Sequence, residues 1–164
     1  MKKSIFPALL LAWTITQAVA VPENYEINPE NSSVRFKVRL LWTTNIEGCF
    51  CEGVSGRVSF DPDAPQKSTV KVEIKTEALN ASVPQISNEI KGPAFLDVKN
   101  FPLIIFKSTS AEKVSDQQYT LTGELTFHGV TKTLTVRSNH VGQSKGSNGE
   151  SETGSDIYLV IKRS

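Results

Sequence analysis

From Val34 onward, apolar and polar residues alternate with a period of two, the period of a β-strand. Val34, Phe36, Val38 and Leu40 fall on one face of a strand, and Arg35, Lys37 and Arg39 on the other. Val58 and Phe60 continue the pattern beyond Gly56, and Val70, Val72 and Ile74 alternate with Lys71, Glu73 and Lys75. Tyr119, Leu121, Gly123, Leu125 and Phe127 form the longest run, and Leu134 and Val136 follow a turn at His128-Gly129. A last strand uses either Ile157, Leu159 and Ile161 or Tyr158 and Val160; both faces are apolar, so its register stays open. Asn28-Pro29, Asp61-Pro62, Ala64-Pro65 and Phe101-Pro102 mark turns. Gly142 to Ser155 is rich in Gly, Ser, Asn and Glu and predicts a mobile hairpin loop. Only Gln85 to Val98 departs from the strand period; Ile86 and Ile90 predict a short helix ending at Gly92-Pro93.

About eight strands and one short helix make an all-β barrel or sandwich. Gly48, Gly53, Gly56 and Gly123 lie within strand patterns, where glycine marks bulges and bends, and this favours a barrel. Such a barrel is either filled by its own side chains or holds one small ligand. The inward set is Val34, Phe36, Val38, Phe60, Val72, Ile74, Phe106, Leu121, Leu125 and Phe127. On pattern alone, these residues read as a filled core.

The 164 residues suffice for one domain with a real core. Residues 1–20 read as a signal peptide: Lys2 and Lys3 precede an apolar stretch that ends in Ala18-Val19-Ala20. Cleavage is expected after Ala20, leaving residues 21–164 as the exported domain. The stretch is too short and threonine-rich to span a bilayer comfortably. Without Lys2 and Lys3, 16 basic residues face 17 acidic ones, a net charge of −1. That balance argues against nucleic acid as a partner. Arg35, Lys37 and Arg39 read as a solvated strand face, with a lipid head group or an anionic membrane surface as the minority reading.

Cys49 and Cys51 point to the same strand face. Export makes pairing chemically accessible, but an extended pair at this spacing lies near the upper distance limit for bridging. Thiolates also suit Cu(I) or Zn, yet a closed zinc site wants about four ligands. His128 and His140 are the chain's imidazoles. The plainest reading is two small, half-buried residues in a glycine-bent strand. His128 sits in a turn and His140 at a strand end, and neither belongs to a recognisable Ser-His-Asp or paired-carboxylate arrangement. The expectation is therefore a protein that is not an enzyme, with no cofactor and no metal.

Four segments in order resemble the YceI family of bacterial periplasmic proteins. They are Tyr25-Glu26-Ile27-Asn28-Pro29 with Ser33 to Val38, then Gly48-Cys49-Phe50 with Gly56 to Asp61, then Ile90 to Val98 running into Phe101 to Thr109, and finally Leu121 to Lys132. The resemblance implies an extended antiparallel lipocalin-like β-barrel in the periplasm. It implies non-catalytic binding of an isoprenoid lipid, either an isoprenoid quinone or a polyprenyl chain, inside an apolar tunnel. The ten inward residues then serve as the tunnel wall, with Phe95 and Leu96 as a lid or end-plug. Arg39 stands where the family usually has His, and the segment after Val141 departs from the family's more regular sequence. Lys162-Arg163-Ser164 looks like the start of one or two further family strands. The expected barrel therefore either lacks its last strands or closes differently, and an unclosed barrel leaves a free edge that invites a homodimer. The rival reading is a small exported redox or metal-handling module built on Cys49 and Cys51.

Overall fold

The computed structural model describes residues 22–40, 44–61, 63–145 and 151–158. The signal-peptide reading of Met1 to Ala20 and the strand residues Leu159 and Ile161 lie outside them. Ten strands and one α-helix follow along the described chain: β1 (Glu23–Ile27), β2 (Ser33–Leu40), β3 (Thr44–Cys51), β4 (Val54–Phe60), β5 (Thr69–Lys75), β6 (Leu79–Ala81), α1 (Pro84–Lys91), β7 (Leu103–Ser115), β8 (Gln118–Phe127), β9 (Val130–Lys145) and β10 (Ser151–Tyr158). Two single-turn 3-10 helices, Pro65–Lys67 and Thr76–Ala78, flank β5.

Seven strands form one antiparallel sheet in the order β1-β4-β5-β7-β8-β9-β10. Three form a second in the order β2-β3-β6. The large sheet curls strongly. Phe60 on β4 and Tyr119 on β8 are three strands apart, a separation of about 14 Å in a flat sheet. Their rings nonetheless meet edge to face at 5.5 Å. A glycine in each sheet makes room for an inward aromatic ring. The ring of Phe106 lies where Gly123 has no side chain, and the ring of Phe36 lies likewise over Gly48. Opposite Gly123, the β7 ladder carries a bulge between Ser108 and Ser110 that bends the strand further.

The hairpin expectation needs correction. The strands run on through much of the polar segment: Ser151 pairs with Lys145 and Gly154 with Gly142, with a bulge between Gly154 and Ser155. Backbone groups satisfy one another in such a ladder whatever the side chains are, so polar composition does not unmake it. The strand count also rises, because β7 and the short β6 escape the alternation.

The small sheet closes over one end of the large one. Phe50 and Leu79 from the small sheet pack with Ile104 and Leu96, and Val34, Phe36, Ile74, Ile90, Val98 and Leu125 surround them. A second cluster, Ala111, Leu121 and Val136 with Val70, Phe106 and Leu134, sits farther along the large sheet.

Charges occupy the outer faces. Lys37 bonds Glu47 at 2.7 Å across β2 and β3, and Lys71 bonds Glu73 at 2.7 Å along β5. In each pair the lysine, through its hydrogen bond and then its charge, holds the carboxyl below the ordinary carboxylate range. A carboxyl depressed in the folded state adds stability above its unfolded value and loses it as pH falls through the folded one. Both pairs are solvated, so the contribution is small. Glu47→Gln is therefore expected to leave the midpoint of acid unfolding nearly unchanged; a large upward shift in an acid titration followed by circular dichroism would contradict the surface placement.

Candidate functional site: the apolar concave face

The concave face is built by alternation. Across the large sheet, Val58 pairs with Val70; one step along, Gly56, Val72, Phe106 and Leu125 line up through successive pairings. Farther up, Ala111, Leu121 and Val136 line up in the same way. On the small sheet, Val34 pairs with Phe50 and Phe50 with Leu79. Side chains of one row point to one face, and the packing of Phe50 against Ile104 shows that these rows face each other across the interior.

Of the ten wall residues expected from sequence, Val34, Phe36, Ile74 and Leu125 join the cluster under the small sheet. Phe106 and Leu121 join the second cluster. Phe60 meets Tyr119, and Val72 is half-buried between Gly56 and Phe106. Val38 and Phe127 remain exposed, at 46% and 42%. The buried centres of both clusters were missing from the expected set, apart from Leu121. Phe50 was hidden between two cysteines, Leu79 sits in a three-residue strand, and Ile104 falls in the continuous apolar run Leu103-Ile104-Ile105-Phe106. A continuous run of this kind marks a strand buried on both sides and was the available signal.

The segment after α1 closes one end. The Ser87 hydroxyl on α1 accepts the backbone N–H of Ala81 at 2.7 Å and so ties the helix to the edge of the small sheet. The Leu96 N–H donates to the Ile90 carbonyl at 2.9 Å, which folds the chain back under the helix and buries Leu96 in the first cluster. Of the two residues expected as a lid or end-plug, Leu96 is buried in the first cluster and Phe95 is 54% exposed. A groove of about 510 Å³, open to solvent, lies over β1, β4, β5 and β7, where Val58 and Val70 of this face contribute to its lining with Tyr25 and Ser108. None of the ten expected wall residues lines it.

The cysteine expectation is corrected here. Cys49 and Cys51 are joined in a disulfide, with Cα atoms 5.3 Å apart. A fully extended strand would hold them about 6.6 Å apart. Cys51 ends β3, and Glu52 then turns left-handed at φ 59°, so the strand contracts where the pair sits. Among the described residues, no three His, Cys, Asp or Glu side chains converge as metal ligands. His128 also adopts a left-handed turn conformation, at φ 49°, and its ring stacks on Phe101 at 4.2 Å.

The family model described as YceI-like domain matches residues 25–164. The chain belongs to the YceI family. Among curated relatives of this YceI-family chain, a UPF0312 protein of Pseudomonas putida is 33% identical over 164 residues, covering 98% of this chain and 85% of the relative. Protein YceI of Salmonella arizonae is 30% identical and covers 99% of this chain and 85% of that one. A solved structure of the Campylobacter jejuni YCEI protein superposes with a TM-score of 0.62 at 26% identity, over 81% of this chain and 77% of that one. BcnA of Burkholderia cenocepacia shares the fold, with a TM-score of 0.62 at 23% identity over 69% of this chain and 70% of the other. The curled antiparallel sheet is thus the YceI fold, an architecture of the lipocalin-like binding type.

Proposed function

We propose that this YceI-family chain is a non-catalytic, exported binding protein that sequesters or carries an isoprenoid lipid, its tail lying along the concave face. The observation that carries this reading is an inner face that is apolar along its length but only partly covered. Val58, Phe60, Val70, Val72, Phe106, Leu125 and Leu134 are all half-buried. A filled core would bury such side chains completely. An isoprenoid tail offers only hydrocarbon, and each methylene it buries contributes about 0.8 kcal/mol before ordering losses. The head group would stay at the rim, so few polar contacts are required. Periplasmic residence and brief contact with a membrane surface follow from the same reading.

The test is mass spectrometry of an organic extract of the folded protein purified from the periplasm. A stoichiometric isoprenoid species is expected. Val72→Asp places a carboxylate in the middle of the apolar row; a folded Val72→Asp protein should lose the extracted lipid almost entirely. An empty extract from folded wild-type protein would overturn the isoprenoid reading.

A further inference from the structure

The binding reading makes no use of Cys49 and Cys51, and their surroundings are those of a reactive site. Both lie on the outer face of the small sheet. Their row contains Lys37 and Glu47, whose side chains are 62% and 61% exposed and which bond each other in solvent. Cys51 itself is exposed and Cys49 half-buried. Arg35 stands directly across the ladder from Cys49. The disulfide spans a single residue. Closing so short a loop removes little freedom from the unfolded chain, so the bond adds little as a staple. The fold does not depend on it either, because β3 is already held by its pairing with β2 on one side and β6 on the other.

We propose that Cys49 and Cys51 form a redox-active site that exchanges with the dithiol of a partner protein or peptide. The steps balance without a further reagent. A partner thiolate attacks the exposed Sγ of Cys51, the Cys49–Cys51 bond breaks, and Cys49 leaves as a thiolate facing the Arg35 cation. The partner's second thiolate then attacks the mixed disulfide and releases Cys51. The partner loses two electrons and two protons and gains a disulfide; Cys49 and Cys51 gain the electrons and are protonated to thiols. A second cycle requires reoxidation by a low-molecular-weight disulfide. Attack falls on Cys51 because an exchange reaction needs access to the sulfur in line with the breaking bond. A cation beside the departing thiolate speeds its departure.

The experiment mixes the oxidised full protein, without denaturant, with a short dithiol peptide, then quenches with a thiol-alkylating agent and weighs the products. One peptide disulfide per chain and a doubly alkylated protein are expected, with the β-sheet circular dichroism unchanged. Arg35→Gln should slow the exchange about threefold at neutral pH, as expected for a leaving thiol about one pKa unit weaker as an acid. In single-cysteine variants mixed with the peptide disulfide, Cys49→Ser should form the mixed disulfide through Cys51 readily, and Cys51→Ser should form it more slowly through half-buried Cys49. A disulfide that stays closed until the sheet unfolds would overturn the proposal. So would equal rates for the two single-cysteine variants together with no effect at Arg35.

Discussion

Phe50→Ala should destabilise the domain by about 3–5 kcal/mol, the cost of deleting a buried aromatic side chain and leaving a cavity. Phe50 is 7% exposed, sits at the centre of the cluster that joins the two sheets, and packs against Phe36 with ring centroids 5.9 Å apart. Its neighbours cannot collapse easily into the space. Phe36 is held over Gly48, and Leu79 is fixed by its pairing with β3. Urea unfolding followed by circular dichroism is the check: the midpoint should fall with the slope unchanged. A loss below about 1 kcal/mol would mean that the small sheet does not rest on this residue.

Gly123→Val should cost about 1–3 kcal/mol through overpacking. A Cβ there would lie 2.7 Å from Phe106 Cζ and would also press on the Lys107 carbonyl oxygen, which belongs to the backbone and cannot swing aside. The Phe106 ring would have to leave its place over the glycine and move into the interior. Two readouts should therefore move together: the unfolding midpoint falls, and the lipid recovered from the folded fraction falls with it. Loss of stability with normal lipid content would place Phe106 outside the binding face. Gly123→Ala, with a smaller side chain, should lie between the variant and wild type in stability.

Much of the architecture was legible because most strands keep strict alternation. β2, β5 and β8 can be read directly from Val34 to Leu40, Val70 to Ile74 and Tyr119 to Phe127. β7 could not be read in this way. Before its first bulge the inward positions are Ile104 and Phe106; after it they shift to Ala111, because one extra residue reverses the side-chain phase as far as the next irregularity, between Lys113 and Ser115. The bulge in the β9–β10 ladder lies in a segment whose polarity already disguised it as a loop. Helix α1 was legible from Ile86, Ile90 and the Gly92-Pro93 stop.

The candidate site was legible in outline and blurred at its centre. Alternation places residues on a face; it does not say which of them the second sheet covers. Val38 and Phe127 satisfy the pattern yet remain exposed, whereas Leu79 and Leu96 satisfy no pattern and are buried. Their burial depends on a 3-10 turn and on the Leu96–Ile90 hydrogen bond, both of which are tertiary facts. The cysteines illustrate the same limit: the period put both on one face, but the contraction at the end of β3 arises from the turn at Glu52.

The large sheet has β1 and β10 as its outermost described strands. β1 carries Glu23 and Glu26, and β10 carries Glu152 and Asp156. Charged side chains on an edge strand disfavour its pairing with another chain, and the break in the β10 ladder at Gly154 and Ser155 spoils a flat template there. On β1 the Glu26 carboxylate is shared with Arg57 of the neighbouring strand at 3.2 Å, so Glu23 is the carboxylate there without a basic partner among the described residues. Charged side chains and a broken ladder make both described rims poor templates for the repeated strand-on-strand addition that builds fibres.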